Sequence, residues 1–534
     1  MKTTSLLALL CFAFVVQGCA QGPAVKQIAL NITKLCASSR VESERLAEPL
    51  AVSQFYKKRD SRPAWLDHAA QVVEAIRGTD ADGLDPAAYH LDAIQSLIEK
   101  RRSSQRTAES EATLDVLLAD AVASIVDDVH FGRVRPSQVN PEWTADPRDD
   151  ASPLDSTLAV IAKSGSIREA IEAQRPNHFI YRGLLGALES LRRIDAVGGW
   201  PSVRAGRDLR PGVIDPRVAQ VRRRLLAGGD AEGDIPRDSM RYDPGLARAV
   251  EKFQALHRLD ATGVIDRATI EAMNMSASER VSQVRANLER ARWVLGDLQD
   301  DFMLVNLPAF KAYLIRDKRN AWESRTQIGQ EAMQTPTFRA NIRTVVFNPD
   351  WTVPPTILEK EIFEDMRSGK NAIEDKGLVL YDRSNEVVDS GSIDWNSVTP
   401  EAFPYSIRQP AGDDNALGKV KFLFPNKYSI YLHDTPHRNL FEADRRTFSH
   451  GCIRLEHPLE LAALLLREQD WDAERIDSTI ASDSTENVVL VHPLPILIVY
   501  WTVSVGASGD VHYANDIYHL DPPLLAAMNR SSRR

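Results

Sequence analysis

The chain has 534 residues, 43% hydrophobic and 26% charged, with 65 basic and 74 acidic side chains and a net charge of −9. That length exceeds what one hydrophobic core organises, so three or four domains are expected. The mildly acidic balance, with no Lys/Arg run flanked by aromatics, argues against nucleic acid as a partner.

Met1-Lys2 leads into an apolar stretch, Leu6 to Val16, that ends at Gln17-Gly18-Cys19-Ala20. It is too short to span a bilayer and reads as a secretory signal over residues 1–19, which implies an exported, periplasmic protein. Val16-Gln17-Gly18-Cys19 resembles a lipobox, whose cysteine is acylated after cleavage; Gln17 is unusual there, and ordinary cleavage near Cys19 is the alternative. An acylated Cys19 would give a stable membrane anchor, and Ala20 resembles outer-membrane sorting. Of the 4 cysteines, Cys11 leaves with the signal and Cys19 is cut off or acylated, so Cys36 and Cys452 remain as thiols. Cys36 is read as unpaired in a flexible lead-in, because a disulfide to Cys452 would silence the thiol proposed below as a nucleophile.

Residues 42–212 are expected to form a helical domain. Ala69-Ala70-Val72-Val73-Ala75-Ile76 and Leu114-Leu117-Leu118-Ala121-Val122-Ile125-Val126 recur at three and four, as amphipathic helices do. Gly132-Arg133-Val134-Arg135-Pro136 and Pro141-Glu142-Trp143 punctuate the region, and His90, His130 and His178 stand alone, as structural or surface histidines usually do. Residues 213–275 read as a compact unit. Val218, Val221, Leu225 and Leu226 mark one helix and Leu246, Val250, Phe253 and Leu256 a second, and Thr269 to Met273 starts a third. Between the last two, Leu259 to Asp266 makes a tight turn with Gly263 at a positive-φ position. With Phe253-Gln254 and Gly263-Val264-Ile265-Asp266, the unit resembles the three-helix peptidoglycan-binding module, departing from it in the inserted Gly228 to Arg237 loop; a plain helical linker domain is the alternative.

A connecting helix is expected over 276–300, with Val284, Leu288, Ala291 and Leu295 along one stripe. Residues 301–525 then turn β-rich. Phe302 to Leu307, Ala312 to Ile315, Arg343 to Phe347, Lys419 to Phe424, Tyr428 to Leu432 and Val488 to Val491 are short apolar or alternating runs bounded by turn residues. Such runs predict a sandwich or barrel-like domain. Residues 355–407 interrupt them with an acidic helix, Ile357 to Met366, and a strand, Leu378 to Tyr381, and read as a capping insertion. Leu459 to Leu466 predicts a helix beside the cysteine, and Tyr500 to Val505 with Val511 to Tyr513 a closing hairpin.

The chemistry concentrates at Thr447-Phe448-Ser449-His450-Gly451-Cys452-Ile453-Arg454-Leu455, preceded by His433-Asp434-Thr435-Pro436-His437. A thiol reacts as thiolate, which a nearby imidazole supplies. His450, two residues from Cys452 on an extended segment, and His433, brought back by the fold, are both candidate bases. Gly451 suits a tight backbone or an amide N–H facing an oxyanion. Two rivals compete: an inert cysteine, and a zinc site of His433, His437, His450 and Cys452, which Pro436 opposes by keeping the two imidazoles of His-x-x-x-His off one helical face.

His433-Asp434-Thr435-Pro436 followed by Ser449 to Leu455 resembles the L,D-transpeptidases of bacterial cell walls, in particular the large Gram-negative type. Asn348 to Pro355, Asn415-Ala416-Leu417-Gly418 with Lys421-Phe422, and Tyr500-Trp501-Thr502 resemble that type's catalytic domain in the same order. The resemblance implies a multidomain α+β chain: a helical scaffold domain, a peptidoglycan-binding module and a β-rich catalytic domain with a capping subdomain. It implies Cys452 as nucleophile, His433 as base and Asp434 as its orienter, through the backbone carbonyl in relatives. His450 and the Gly451 and Cys452 amides would surround the oxyanion, with Ser449 and Arg454 shaping the pocket. It further implies no cofactor or metal, peptidoglycan tetrapeptide stems as donor and acceptor, 3-3 cross-links as product, and carbapenems as acylating inhibitors. An L,D-carboxypeptidase, a lipoprotein-tethering transpeptidase and a non-enzymatic wall-binding protein remain alternatives.

Overall fold

The computed structural model describes residues 22–103, 105–140, 148, 153–231, 239–296, 298–506 and 508–530. The expected signal with Cys11 and Cys19, the Pro141-Glu142-Trp143 punctuation and most of the Gly228 to Arg237 loop lie outside them. The chain divides into two compact units: residues 1–130 with 150–175 and 529–534, and residues 131–149 with 176–528.

The first unit is helical and begins earlier than expected, at α1 (Gly22–Leu35). Cys36, expected in a flexible lead-in, instead follows directly on this helix and packs against the apolar core; it is a free thiol, and burial pushes its pKa up to about 11. The core is built around Ala108–Phe131, expected to be amphipathic but buried on every face from Glu111 to Val129. Two of its acidic residues help explain this, because they bond the backbone of neighbouring segments rather than face water. Asp115 accepts N–H bonds from Ala64, Trp65 and Leu66 and the Tyr56 hydroxyl at 2.6 Å, and Asp120 accepts from the Ala47 and Glu48 amides. His90 lies between Glu44 at 2.7 Å and Asp120 at 2.9 Å, a structural histidine.

In the second unit, Pro216–Gly228, Pro244–Leu256 and Arg267–Asn274 form the expected three-helix module. Each helix starts on an aspartate, Asp215, Asp243 or Asp266, whose side chain accepts from an otherwise unpaired first-turn N–H. The turn between the last two is pinned by Gln254, which donates to Val264 O and accepts from Gly263 N; Gly263 has φ +67°. The helix Ala277–Leu295 follows, opened by a Ser276/Glu279 capping box. The apolar stripe is present, but the helix is buried on nearly all sides, because Phe179–Ala196, Asp521–Met528 and the main sheet of the β-rich domain all pack on it. Among its buried polar groups, Glu289 pairs with Arg292 at 3.0 Å and accepts from the Val134 N–H at 2.6 Å, Arg290 pairs with Asp521, and Asn287 Nδ2 donates to Thr502 Oγ1 at 2.7 Å. Phe179–Ala196, grouped by sequence with the scaffold helices, thus packs beside the β-rich domain.

The main sheet of the β-rich domain consists of β1 (Phe302–Asn306), β2 (Lys311–Arg316), β3 (Arg319–Gly329), β4 (Phe338–Phe347), β5 (Val420–Leu423), β6 (Leu432–His433), β7 (Thr447–Ser449), β8 (Ile453–Leu455) and β9 (Glu486–Val499). Its order is β7-β3-β8-β6-β5-β4-β9-β1-β2, and β2 also pairs with β3, so the sheet closes on itself as a barrel. Met303, Val305, Phe422, Leu432 and Ile453 point inward, and Pro458–Leu466 contributes Leu461 and Leu465 to the same core. Phe302 and Leu304 alternate outward against the helices, which is why β1 is buried at every position. The insertion carries its own core of Phe363, Trp395 and Ile407 and a four-stranded sheet made by Trp351–Thr352, Ser406–Gln409, Val379–Tyr381 and Val387–Val388. The closing hairpin is Val503–Val505 with Val511–Tyr513; Tyr500 instead follows the end of β9.

Candidate active site

β6 and β8 run parallel, with Leu432 opposite Ile453 and His433 opposite Arg454. Side chains two apart on a strand share a face, so Tyr431, His433, Cys452 and Arg454 fall on one surface, and Lys421, opposite His433 on β5, joins them. The nineteen-residue gap between His433 and Cys452 is closed by this strand pairing, and the Ile453 N–H donates to Tyr431 O at 3.2 Å.

The His433 imidazole is buried, and its Nδ1 lies 2.5 Å from the backbone carbonyl of Asp434. A carbonyl only accepts, so Nδ1 carries the proton and Nε2 keeps its lone pair. Burial, reinforced by Arg454, lowers the His433 pKa to about 3. The Asp434 carboxylate does not face the imidazole: it accepts from the Lys419 N–H at 2.9 Å and from Arg438 Nη2 at 2.7 Å. Gly418 makes that possible, since with φ +60° a Cβ there would run into the carboxylate.

The Cys452 thiol donates weakly to Ser429 O at 3.8 Å. Burial raises its pKa, against the opposing pull of Tyr431 and Arg454. At neutral pH the thiol and His433 therefore rest uncharged. The turn carrying the thiol is fixed by Ser449, whose Oγ donates to Cys452 O at 2.5 Å and accepts from the Gly451 N–H at 3.1 Å. Gly451 takes φ +116° and its carbonyl accepts from Thr335 Oγ1 at 2.7 Å. Arg454 is held by Gln327 at 3.1 Å while its buried Nε has no acceptor, a donor left available to an incoming group.

His450, expected around the oxyanion, points elsewhere: Nε2 pairs at 2.7 Å with Glu361 of the insertion. Within the insertion Glu361 also meets Lys376 at 3.2 Å, and its pair with His450 joins the insertion to the Cys452 loop. The four residues weighed as zinc ligands do not converge, since His433 is committed to Asp434, His450 to Glu361, and no group of three metal-binding side chains occurs among the described residues. Sequence reading missed Tyr431, which shares the face of Cys452 and opposes the burial that raises the thiol's pKa. Its position two before His433 on a strand was the available signal.

Residues 300–486 match the family model "L,D-transpeptidase catalytic domain", residues 50–188 "Scaffold domain" and residues 215–273 "Putative peptidoglycan binding domain". A Haemophilus influenzae protein named "Putative L,D-transpeptidase" is 35% identical over 290 residues, 53% of this chain and 58% of its own length. The chain thus spans little more than half of that relative. An L,D-transpeptidase structure from Xylanimonas cellulosilytica matches at 12% identity over 55% of this chain and 99% of its own, with a TM-score of 0.18, too low to bear on the fold. With barrel, module and thiol–imidazole face in place, residues 300–486 are similar to an L,D-transpeptidase catalytic domain, on one chain with segments similar to a scaffold domain and a peptidoglycan-binding domain.

Proposed function

We propose that the chain is a peptidoglycan L,D-transpeptidase that makes 3-3 cross-links through a thioester on Cys452. The observation that carries this reading is the shared face of Cys452, His433 and Arg454, with the imidazole lone pair freed by the Asp434 carbonyl. Cys452 Sγ attacks the carbonyl at the L-centre of the third residue of a donor tetrapeptide as its proton passes to His433 Nε2. The tetrahedral oxyanion is met by the Cys452 amide and the Tyr431 hydroxyl, whereas the Gly451 N–H, expected there, is held by Ser449 Oγ at 3.1 Å. Collapse breaks the C–N bond, and the imidazolium proton leaves with D-alanine. The side-chain amine of an acceptor diaminopimelate then attacks the thioester, gives a proton to His433 and restores the thiol. Arg454 Nε supplies a donor for a stem-peptide carbonyl or carboxylate. Removing the base costs roughly 10²–10⁴ in rate.

The insertion, gripping His450 through Glu361, gates the acceptor, and carbapenems acylate the same thiol. The enzyme works in the periplasm, and acylation at Cys19 would anchor it to the outer membrane; incorporation of a palmitate analogue tests that anchor. The central test is mass spectrometry of products from a diaminopimelate-containing disaccharide tetrapeptide incubated with the protein and with Cys452→Ala. Dimers joined 3-3 from the unaltered protein alone support the transpeptidase. Tripeptide without dimer makes it a carboxypeptidase, and unchanged substrate refutes both.

A further inference from the structure

A cavity of about 570 Å³ lies far along the chain from Cys452, where the three-helix module meets Phe179–Ala196 and the Val503–Tyr513 hairpin. It has the size of a small-ligand site. Part of its wall is bare backbone: Gly183, Gly186, Gly228 and Gly229 line it, and a Cβ on Gly186 would meet nothing within 4 Å.

The remaining wall is cationic and built. Arg224 and Arg280 are only 1% and 4% exposed. Arg224 lies 3.8 Å over the Trp200 ring, its Nε donating to Met273 O at 2.7 Å, and Arg280 lies 4.3 Å over Tyr513, its Nη1 donating to Gln283 at 2.8 Å. Burial lowers both guanidiniums to about 10, which leaves them charged at neutral pH. Among the described residues, the carboxylate that pairs with Arg224 is Asp230, at 3.5 Å. His257, stacked between Phe253 and Tyr513, is kept neutral by burial. Among the described lining residues, Arg224, Arg280 and Lys252 thus face Asp230 and Asp510, a surplus of one positive charge. Burying a guanidinium is costly unless an anion compensates it.

We propose that this cavity is a second ligand site, taking a carboxylate-bearing peptide fragment whose carboxylate lies across Arg224 and Arg280. A single negative charge balances the surplus, whereas a phosphate dianion would overshoot it and meet Asp230. Planar guanidiniums held rigidly on aromatic rings suit a planar carboxylate. Placement against the peptidoglycan-binding domain makes a stem peptide the source; that identification rests on the function proposed above, while the carboxylate chemistry does not. The site would hold a strand of wall while the barrel works on another.

The test is calorimetric titration of the full chain carrying Cys452→Ala, with disaccharide tetrapeptide and separately with inorganic phosphate. Adding Gly186→Leu, which fills open space on a helix distant from Cys452, should weaken one class of binding at least tenfold and leave any second class intact. Lys252→Gln, which leaves both buried arginines in place, should weaken the same class severalfold. Tetrapeptide binding indifferent to both substitutions, or phosphate binding as tight as tetrapeptide, overturns the proposal. Turnover by the unaltered chain is scored separately: loss of turnover with the Gly186-sensitive class retained sinks the transpeptidase reading alone.

Discussion

Replacing Asp434 by alanine separates two roles that its position beside the base confuses. The backbone carbonyl that accepts from His433 Nδ1 survives the substitution; the carboxylate that accepts from Lys419 N–H and Arg438 does not. Asp434 is 4% exposed, so the Lys419 amide loses a charged acceptor inside the fold, a cost of about 1.5–3 kcal/mol. The Arg438 side chain is 50% exposed and its ion pair adds no more than about 1 kcal/mol. A loss of about 2–4 kcal/mol in a domain of this size lowers Tm on the order of 10 °C. Below that Tm, kcat/KM on tetrapeptide should stay within about tenfold, while His433→Ala should lose about 10²–10⁴. Calorimetry of the variants beside their steady-state rates makes the comparison. An unchanged Tm with a thousandfold loss of rate in Asp434→Ala would refute the reasoning, because the carboxylate would then act on the base.

Three further outcomes follow from the same geometry. His433 is held neutral to about 3, first by burial, whereas the unfolded chain takes up that proton near 6.5. Stability from this group is complete above about 6.5 and falls as pH drops toward 3, by up to about 1.4 kcal/mol per pH unit, so His433→Gln should flatten the stability–pH curve in that window. Ser449→Ala orphans the Cys452 carbonyl and the Gly451 amide; a loss of about 1–3 kcal/mol with a kcat decline exceeding any rise in KM is expected, and full kcat would contradict its role in setting the turn. Asp115→Ala strips an acceptor from the Ala64, Trp65 and Leu66 amides and the Tyr56 hydroxyl, and should cost at least about 3 kcal/mol, seen as earlier melting of the N-terminal helical unit with Cys452 reactivity retained.

Much of this molecule follows from local pattern. The three-helix module is legible because its helices begin on Asp215, Asp243 and Asp266 and its turn requires Gly263 at positive φ, features that depend on neighbours within a few residues. The short strands of the barrel, the insertion and the Cys452 loop are legible for the same reason. Burial around whole helices is not. Ala108–Phe131 and Ala277–Leu295 carry enough charge to read as half-exposed, and only the tertiary structure supplies the amides, hydroxyls and counter-charges that let Asp115, Asp120, Glu289 and Arg292 sit inside.

The sequence by itself determined the residue types of the site, since a histidine, a glycine and a cysteine in that order leave little chemistry open. Which histidine shares the face of Cys452 was decided by the parallel pairing of β6 with β8: it sets His433 there and leaves adjacent His450 to bond Glu361 of the insertion. Proximity along the chain does not fix the direction of a side chain, whereas strand register does, through the alternation that puts every second residue on one face. The cavity between the module and the hairpin is likewise a product of tertiary structure, because Arg224 and Arg280 lie on different helices and share one space only after these pack.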